Sequence, residues 1–172
     1  MKKIQEEIYK NNLKAGWWDI NNDNRPAIKN AAIVSRMHSV LSQELEKVRR
    51  GSDIDIGKIL NDIKNISTST SHEDENKELL LSKIALIHSE ISEIAEYLGT
   101  DQKDKHLPSR TGTSVEITDA IIRLLDLAER ENQEKRNEDV DVIEIINEKL
   151  DYNKTRQDHQ KTNRKHENSK KI

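Results

Sequence analysis

The chain is 172 residues long with a formal net charge of −3; 33% of it is hydrophobic, 35% is charged, and it has neither Cys nor Phe. That length suits one domain with a tail or insertion, and the lack of cysteine excludes a disulfide scaffold, a thiolate zinc site and a cysteine nucleophile together. No apolar run approaches the roughly 20 residues that cross a bilayer, and no signal-peptide core follows Met1, so the expected setting is the cytoplasm, with no membrane partner. Charge is unevenly spread. Lys154 to Ile172 carries seven Lys/Arg against two Asp/Glu, which leaves residues 1–153 at −8. An acidic body is a poor nucleic-acid surface, because such binding begins with phosphate neutralisation. It suits a cation better.

In chain order, a short helix opens with Ile4, Ile8 and Leu13 and gives way to Gly16-Trp17-Trp18-Asp19 and a loop over Asn21-Asn22-Asp23-Asn24. Pro26 sits well in the first turn of a helix expected to reach about Arg50 and stop at Gly51, with Ile33, Met37, Val40, Leu41, Leu45 and Val48 at helical spacing. A short helix from Ile56 to Ile66 follows, then the Ser/Thr-rich linker Ser67 to His72. Helical patterning resumes near Asn76 and runs to Leu98, with Ile84, Ile87, Ile91, Ile94 and Leu98 as one stripe and Gly99 as the stop. Residues 100–112 read as a loop. A third long helix from about Ser114 to Glu131 is expected to bury Ile117, Ile121, Leu124, Leu125 and Ala128. A fourth, from Val140 to about Asn153, turns Val142, Ile145, Ile146 and Leu150 inward. Four substantial helices and no convincing strand predict an all-α helical bundle. The segment Met37 to Gln43 also echoes Ile87 to Glu93, with Val40 and Gln43 where the later segment has acids.

The chemistry lies in two acidic pairs. Glu90 and Glu93 are three residues apart on one helix, and Glu116 and Asp119 repeat that spacing on the next. Both pairs flank the apolar stripe of their helix, and Arg123 and Asp126 share the second flank. Packed together, four carboxylates would repel strongly unless a cation neutralised them. An all-oxygen set selects a hard ion, Mg²⁺ with Mn²⁺ as a substitute, over zinc. Taken singly, an acidic pair in so charged a chain is more often a solvated face, and Thr113 and Glu116 also fit a capping box.

Other residues tip the balance. Leu86-Ile87-His88-Ser89-Glu90-Ile91-Ser92-Glu93-Ile94, the loop Asp104-Lys105-His106-Leu107-Pro108, the run from Val115 through Glu116, Asp119, Arg123 and Asp126 to Ala128, and Glu148-Lys149-Leu150-Asp151-Tyr152-Asn153-Lys154-Thr155-Arg156 follow in order. That series resembles the MazG-like branch of the all-α NTP pyrophosphohydrolases, especially its small phage-type members, closely over residues 79–159 and loosely at Gly16 to Asp19. The resemblance implies a four-helix-bundle core with extra N-terminal helices. It divides the chain into 1–78 (helical segment with the Trp pair and linker), 79–156 (metal-binding core with the nucleotide-contacting segment) and 157–172 (basic tail). It also implies Mg²⁺ on Glu90, Glu93, Glu116 and Asp119, with Glu93 as the residue that orients or deprotonates water. Nucleotide contacts fall to Lys149, Tyr152, Asn153 and Arg156. Trp17 or Trp18 is expected to stack on the base or to cap the bundle, and Lys105 and Arg110 are candidate triphosphate clamps. The implied reaction is (d)NTP plus water to (d)NMP plus pyrophosphate, with a purine dNTP the first guess, in a homodimer or homotetramer. The alternative is a non-catalytic nucleotide-sensing or interaction protein on the same scaffold.

Overall fold

The computed structural model describes residues 2–68, 74–134 and 141–156. They form six helices: α1 (Lys2–Lys14), α2 (Arg25–Arg49), α3 (Ile56–Thr68), α4 (Glu75–Tyr97), α5 (Gly112–Gln133) and α6 (Val142–Thr155). Among the described residues there is no strand, and one isolated antiparallel bridge joins Lys103 to Thr111. The protein is all-α, as its composition and periodicity predict.

Local chemistry sets the helix ends. The Asn21 side chain accepts the N–H groups of Asp23 and Asn24 and turns the chain into α2. Gly51 and Gly99, at φ 91° and 77°, lie just past α2 and α4 in the left-handed region that glycine enters without strain. Asp74 caps α4 by accepting the Asn76 N–H. Thr111 caps α5 by accepting the Ser114 N–H, so Thr113 lies inside the helix and the expected capping box with Glu116 does not form. Ser67 and Thr68 extend α3 into the predicted linker; the rest of that linker, Val140 and the basic tail lie outside the described residues.

The described residues fall into two compact units, one within Met1–Ser35 and Glu73–Val142, the other within Arg36–His72 and Ile143–Ile172. In the first, α1 and α4 both pack against α5. Tyr97 meets Gly112 beside the connecting loop and Glu90 meets Arg123 further along, so α4 and α5 run antiparallel. Tyr9, Trp18 and Leu79 form the buried apolar centre, with Ile20, Ile28, Leu80 and Leu127 packed on it. Beside it Gln5, fully buried, donates to Glu129, and the Trp18 indole N–H donates to Asp126 at 3.2 Å.

These polar pairs correct the sequence pattern. Ile117, Ile121 and Leu124 are 43%, 48% and 50% exposed, while Glu116, Asp126 and Glu129 are buried. On α4 the inward positions are Glu78, Leu79, Ser82, Ile87 and Glu90, and Ile91 and Leu98 face outward. Only Leu125 of the expected α5 set is fully buried, with Ala128 half-buried. The physical reason is competition for one interior. Bonds from Gln5 on α1, Trp18 in the loop after it and Glu90 on α4 hold the polar flank of α5 inward, and each gives a buried carboxylate the donor that it needs away from water.

In the second unit Val40, Glu44 and Ile59 are buried, and Glu44 pairs with Lys47 and, at 3.9 Å, with Lys58. Ile145, Ile146 and Leu150, expected inward, are exposed, as are Leu41 and Leu45 of the apolar period of α2. Their stripes are wider than the face this unit covers.

Candidate metal centre

The site is built where the C-terminal half of α4 faces the N-terminal half of α5. One carboxylate oxygen from each of Glu90, Glu116 and Asp119 lies within 4.8 Å of the others. Glu90 and Glu116 are buried and Asp119 is half-buried. They open on a cavity of about 470 Å³ that is also lined by Glu93, Tyr97, Asp104, Lys105, His106, Leu107 and Val115.

Electrostatics make the cluster costly without a counter-charge. Burial, reinforced by Glu93 and Glu90, pushes the Glu116 carboxyl above the usual carboxylate range. Burial and the charge of Glu90 do the same to Asp119, against the opposing pull of Arg123. Two oxygens on one Mg²⁺ lie at most about 4.2 Å apart, and on the larger Ca²⁺ about 5 Å. Three oxygens inside 4.8 Å therefore need only a small side-chain adjustment to close on a hard cation. The donor set fits such an ion: all oxygen, no thiolate, no paired imidazoles.

The expected site residues meet different fates. Glu93 lines the same cavity, half-buried, and its Oε1 accepts from the Ser89 hydroxyl at 3.2 Å. Lys105 reaches the cavity lining, whereas Arg110 is exposed outside it and its carbonyl accepts the Asp104 N–H. Trp18 is 6% exposed and packs against Tyr9, with ring centroids 6.0 Å apart, so it caps the core instead of offering a face to a nucleotide. Trp17 is 43% exposed, with Lys83 and Arg123 against its ring. Lys149, Tyr152, Asn153 and Arg156 belong to the second unit. There Lys149 Nζ lies 4.8 Å and Arg156 Cζ 5.8 Å from the centroid of the exposed Tyr152 ring.

Two residues without an assigned role in the sequence belong to this site. Asp104, 8% exposed, faces the cavity from the loop. Its Oδ1 accepts the N–H groups of Leu107 at 2.6 Å and His106 at 2.8 Å, which hold its carboxyl below the usual range. An Asp two residues before a His-Leu-Pro turn signals that local bond, but not the inward direction, which depends on how the loop closes on α5. Arg123 was legible only as a neighbour on the acidic flank. In the structure both its Nε and its Nη2 lie 2.6 Å from Glu90 Oε1.

No protein-family model matches the chain, and neither curated proteins nor solved structures provide a match.

Proposed function

We propose that this chain is a Mg²⁺-dependent nucleoside triphosphate pyrophosphohydrolase, converting a (d)NTP and water to a (d)NMP and pyrophosphate. The observation that carries the reading is the convergence of Glu90, Glu116 and Asp119 on an open cavity large enough for a nucleotide's phosphates. Its resemblance in motif order to the MazG-like pyrophosphohydrolases supports the choice of reaction.

Glu90, Glu116 and Asp119, with Glu93 beside them, would hold Mg²⁺, or Mn²⁺ in its place. The bound ion supplies charge neutralisation on the phosphoanhydride oxygens and makes a water more acidic. Glu93, which lines the cavity, would orient a water and take its proton as that oxygen attacks phosphorus. The bridge between the α- and β-phosphates would break, giving the monophosphate and pyrophosphate. Lys105 offers its ammonium to phosphate oxygens from the loop. Trp17, 43% exposed with Lys83 and Arg123 against its ring, would offer its remaining exposed ring surface to a base. Lys149, Tyr152, Asn153 and Arg156 have the chemistry to contact a nucleotide, as the resemblance implies. A homodimer or homotetramer, also implied by it, would cover Ile91, Ile117, Ile121 and Leu124.

Product analysis by ³¹P NMR tests the reading. The purified protein, given a panel of NTPs and dNTPs with Mg²⁺, Mn²⁺ or EDTA, should release pyrophosphate and a monophosphate only when metal is present. Nucleotide that is bound yet left intact would replace the enzyme with a nucleotide-sensing protein.

A further inference from the structure

Arg123 stands at a junction that neither the acidic motif nor the proposed reaction assigns. Its guanidinium places two nitrogens, Nε and Nη2, on one oxygen of Glu90, each at 2.6 Å. On its other side the guanidinium lies 5.2 Å from the centroid of the Trp17 ring. The Arg123 side chain is only 26% exposed and that of Glu90 9%, so the pair is held largely away from water. Lys83 and Arg123 both lie against Trp17, and with Asp126 they line a cavity of about 20 Å³, room for a single water.

Glu90 is a long, flexible side chain that is hydrogen-bonded to Glu116 while one of the two carboxyls is protonated; with both ionised, repulsion would swing it away from Glu116 and Asp119. The fork of Arg123 opposes that swing, and the Trp17 ring packs against the guanidinium, its centroid 5.2 Å from Cζ. Lysine cannot substitute in this geometry, since an ammonium presents a point charge without a planar edge. We propose that Arg123 is a positioning residue of the metal centre: clamped by Trp17, it grips Glu90 by one oxygen and keeps that carboxylate aimed at the cation site. This rests on the metal-centre reading above.

The proposal has a signed consequence. Arg123 is a cation close to a cation site, so charge alone predicts that its removal tightens metal binding. Positioning predicts the reverse. Supporting partners of metal ligands typically contribute 10- to 100-fold to affinity. Mn²⁺ binding to the full-length protein, followed by electron paramagnetic resonance without nucleotide, separates the two in the parent, Arg123→Ala, Arg123→Lys and Trp17→Leu, each checked by circular dichroism for parental helix content. Both Arg123 variants should bind Mn²⁺ about tenfold more weakly, and Trp17→Leu should weaken binding in the same direction by a smaller factor. Trp17 is partly exposed, so its variant keeps the test decisive if an Arg123 variant fails to fold. Tighter or unchanged binding in Arg123→Ala, or parental affinity in Arg123→Lys or Trp17→Leu, overturns the proposal while leaving the metal centre standing. A parent that binds no Mn²⁺ overturns the metal centre itself, and this inference with it.

Discussion

Replacing Glu116 with Gln should stabilise the metal-free protein while abolishing its response to Mg²⁺. Glu116 is 7% exposed, and one of its oxygens lies within 4.8 Å of oxygens of Glu90 and Asp119. At 4.8 Å, the upper bound on these separations, two unit charges repel by about 0.9 kcal/mol in bulk water and about 3.5 kcal/mol at an effective dielectric of 20. Arg123 already offsets part of the Glu90 charge, so the expected gain at neutral pH is about 1–3 kcal/mol, or about 3–8 °C in Tm for a chain of this size. The pH dependence carries the same sign. The Glu116 carboxyl is raised by burial first and by its acidic neighbours second, so the folded state binds more protons than the unfolded one. The parent's metal-free stability is therefore fullest below the ordinary glutamate range and declines as pH rises through the elevated folded pKa. Glu116→Gln should remove that share of the decline. Thermal melts followed by circular dichroism, in EDTA and in Mg²⁺ from pH 4 to 8, give both readings. A variant less stable than the parent in EDTA at neutral pH, or a parent that gains nothing from Mg²⁺, would refute the argument.

Further outcomes follow from the packing around the site. Gly112→Ala drives a Cβ into the Tyr97 ring, 2.7 Å from its Cγ, and should cost about 1–3 kcal/mol in urea unfolding. Gly99→Ala has open space around it but φ of 77°, so it should cost about 1 kcal/mol through backbone strain alone. Trp18→Phe keeps most of the ring and deletes the indole N–H that reaches buried Asp126, a loss of about 1–3 kcal/mol by the same assay. Glu93→Gln removes one of the charges that raise Glu116, so it should stabilise the metal-free protein in the same direction as Glu116→Gln, and, on the proposed role of Glu93, lower turnover by about 100-fold or more.

The helices were legible because each carries a long apolar period and a punctuating residue: Pro26 at a start, Gly51 and Gly99 at the stops. Their rotation was not. Periodicity ranks faces by hydropathy, and on that basis Ile117, Ile121 and Leu124 look inward; the decision falls instead to bonds such as Gln5–Glu129, Trp18–Asp126 and Arg123–Glu90, separated by 124, 108 and 33 residues. No local window contains both ends of such a bond. The acids Glu90, Glu116 and Asp119 were readable from paired spacing on successive helices, since spacing fixes which residues share a flank. Asp104 was hidden because a loop has no period to project, and only its closure through Asp104 N–H to Arg110 O and Gly112 N–H to Gln102 O brings it to the cavity.

On the proposed function, the clustered carboxylates run a metal-dependent phosphoanhydride hydrolysis. The most direct measurement is the initial rate of pyrophosphate formation by the parent and by a folded Glu90→Gln variant, at saturating (d)NTP and Mg²⁺. Metal-dependent hydrolysis at this cluster requires steady turnover by the parent, none in EDTA, and a rate at least about 100-fold lower in the variant, equal to about 2.7 kcal/mol of transition-state stabilisation. Parental turnover in Glu90→Gln, or turnover that survives EDTA, would contradict it.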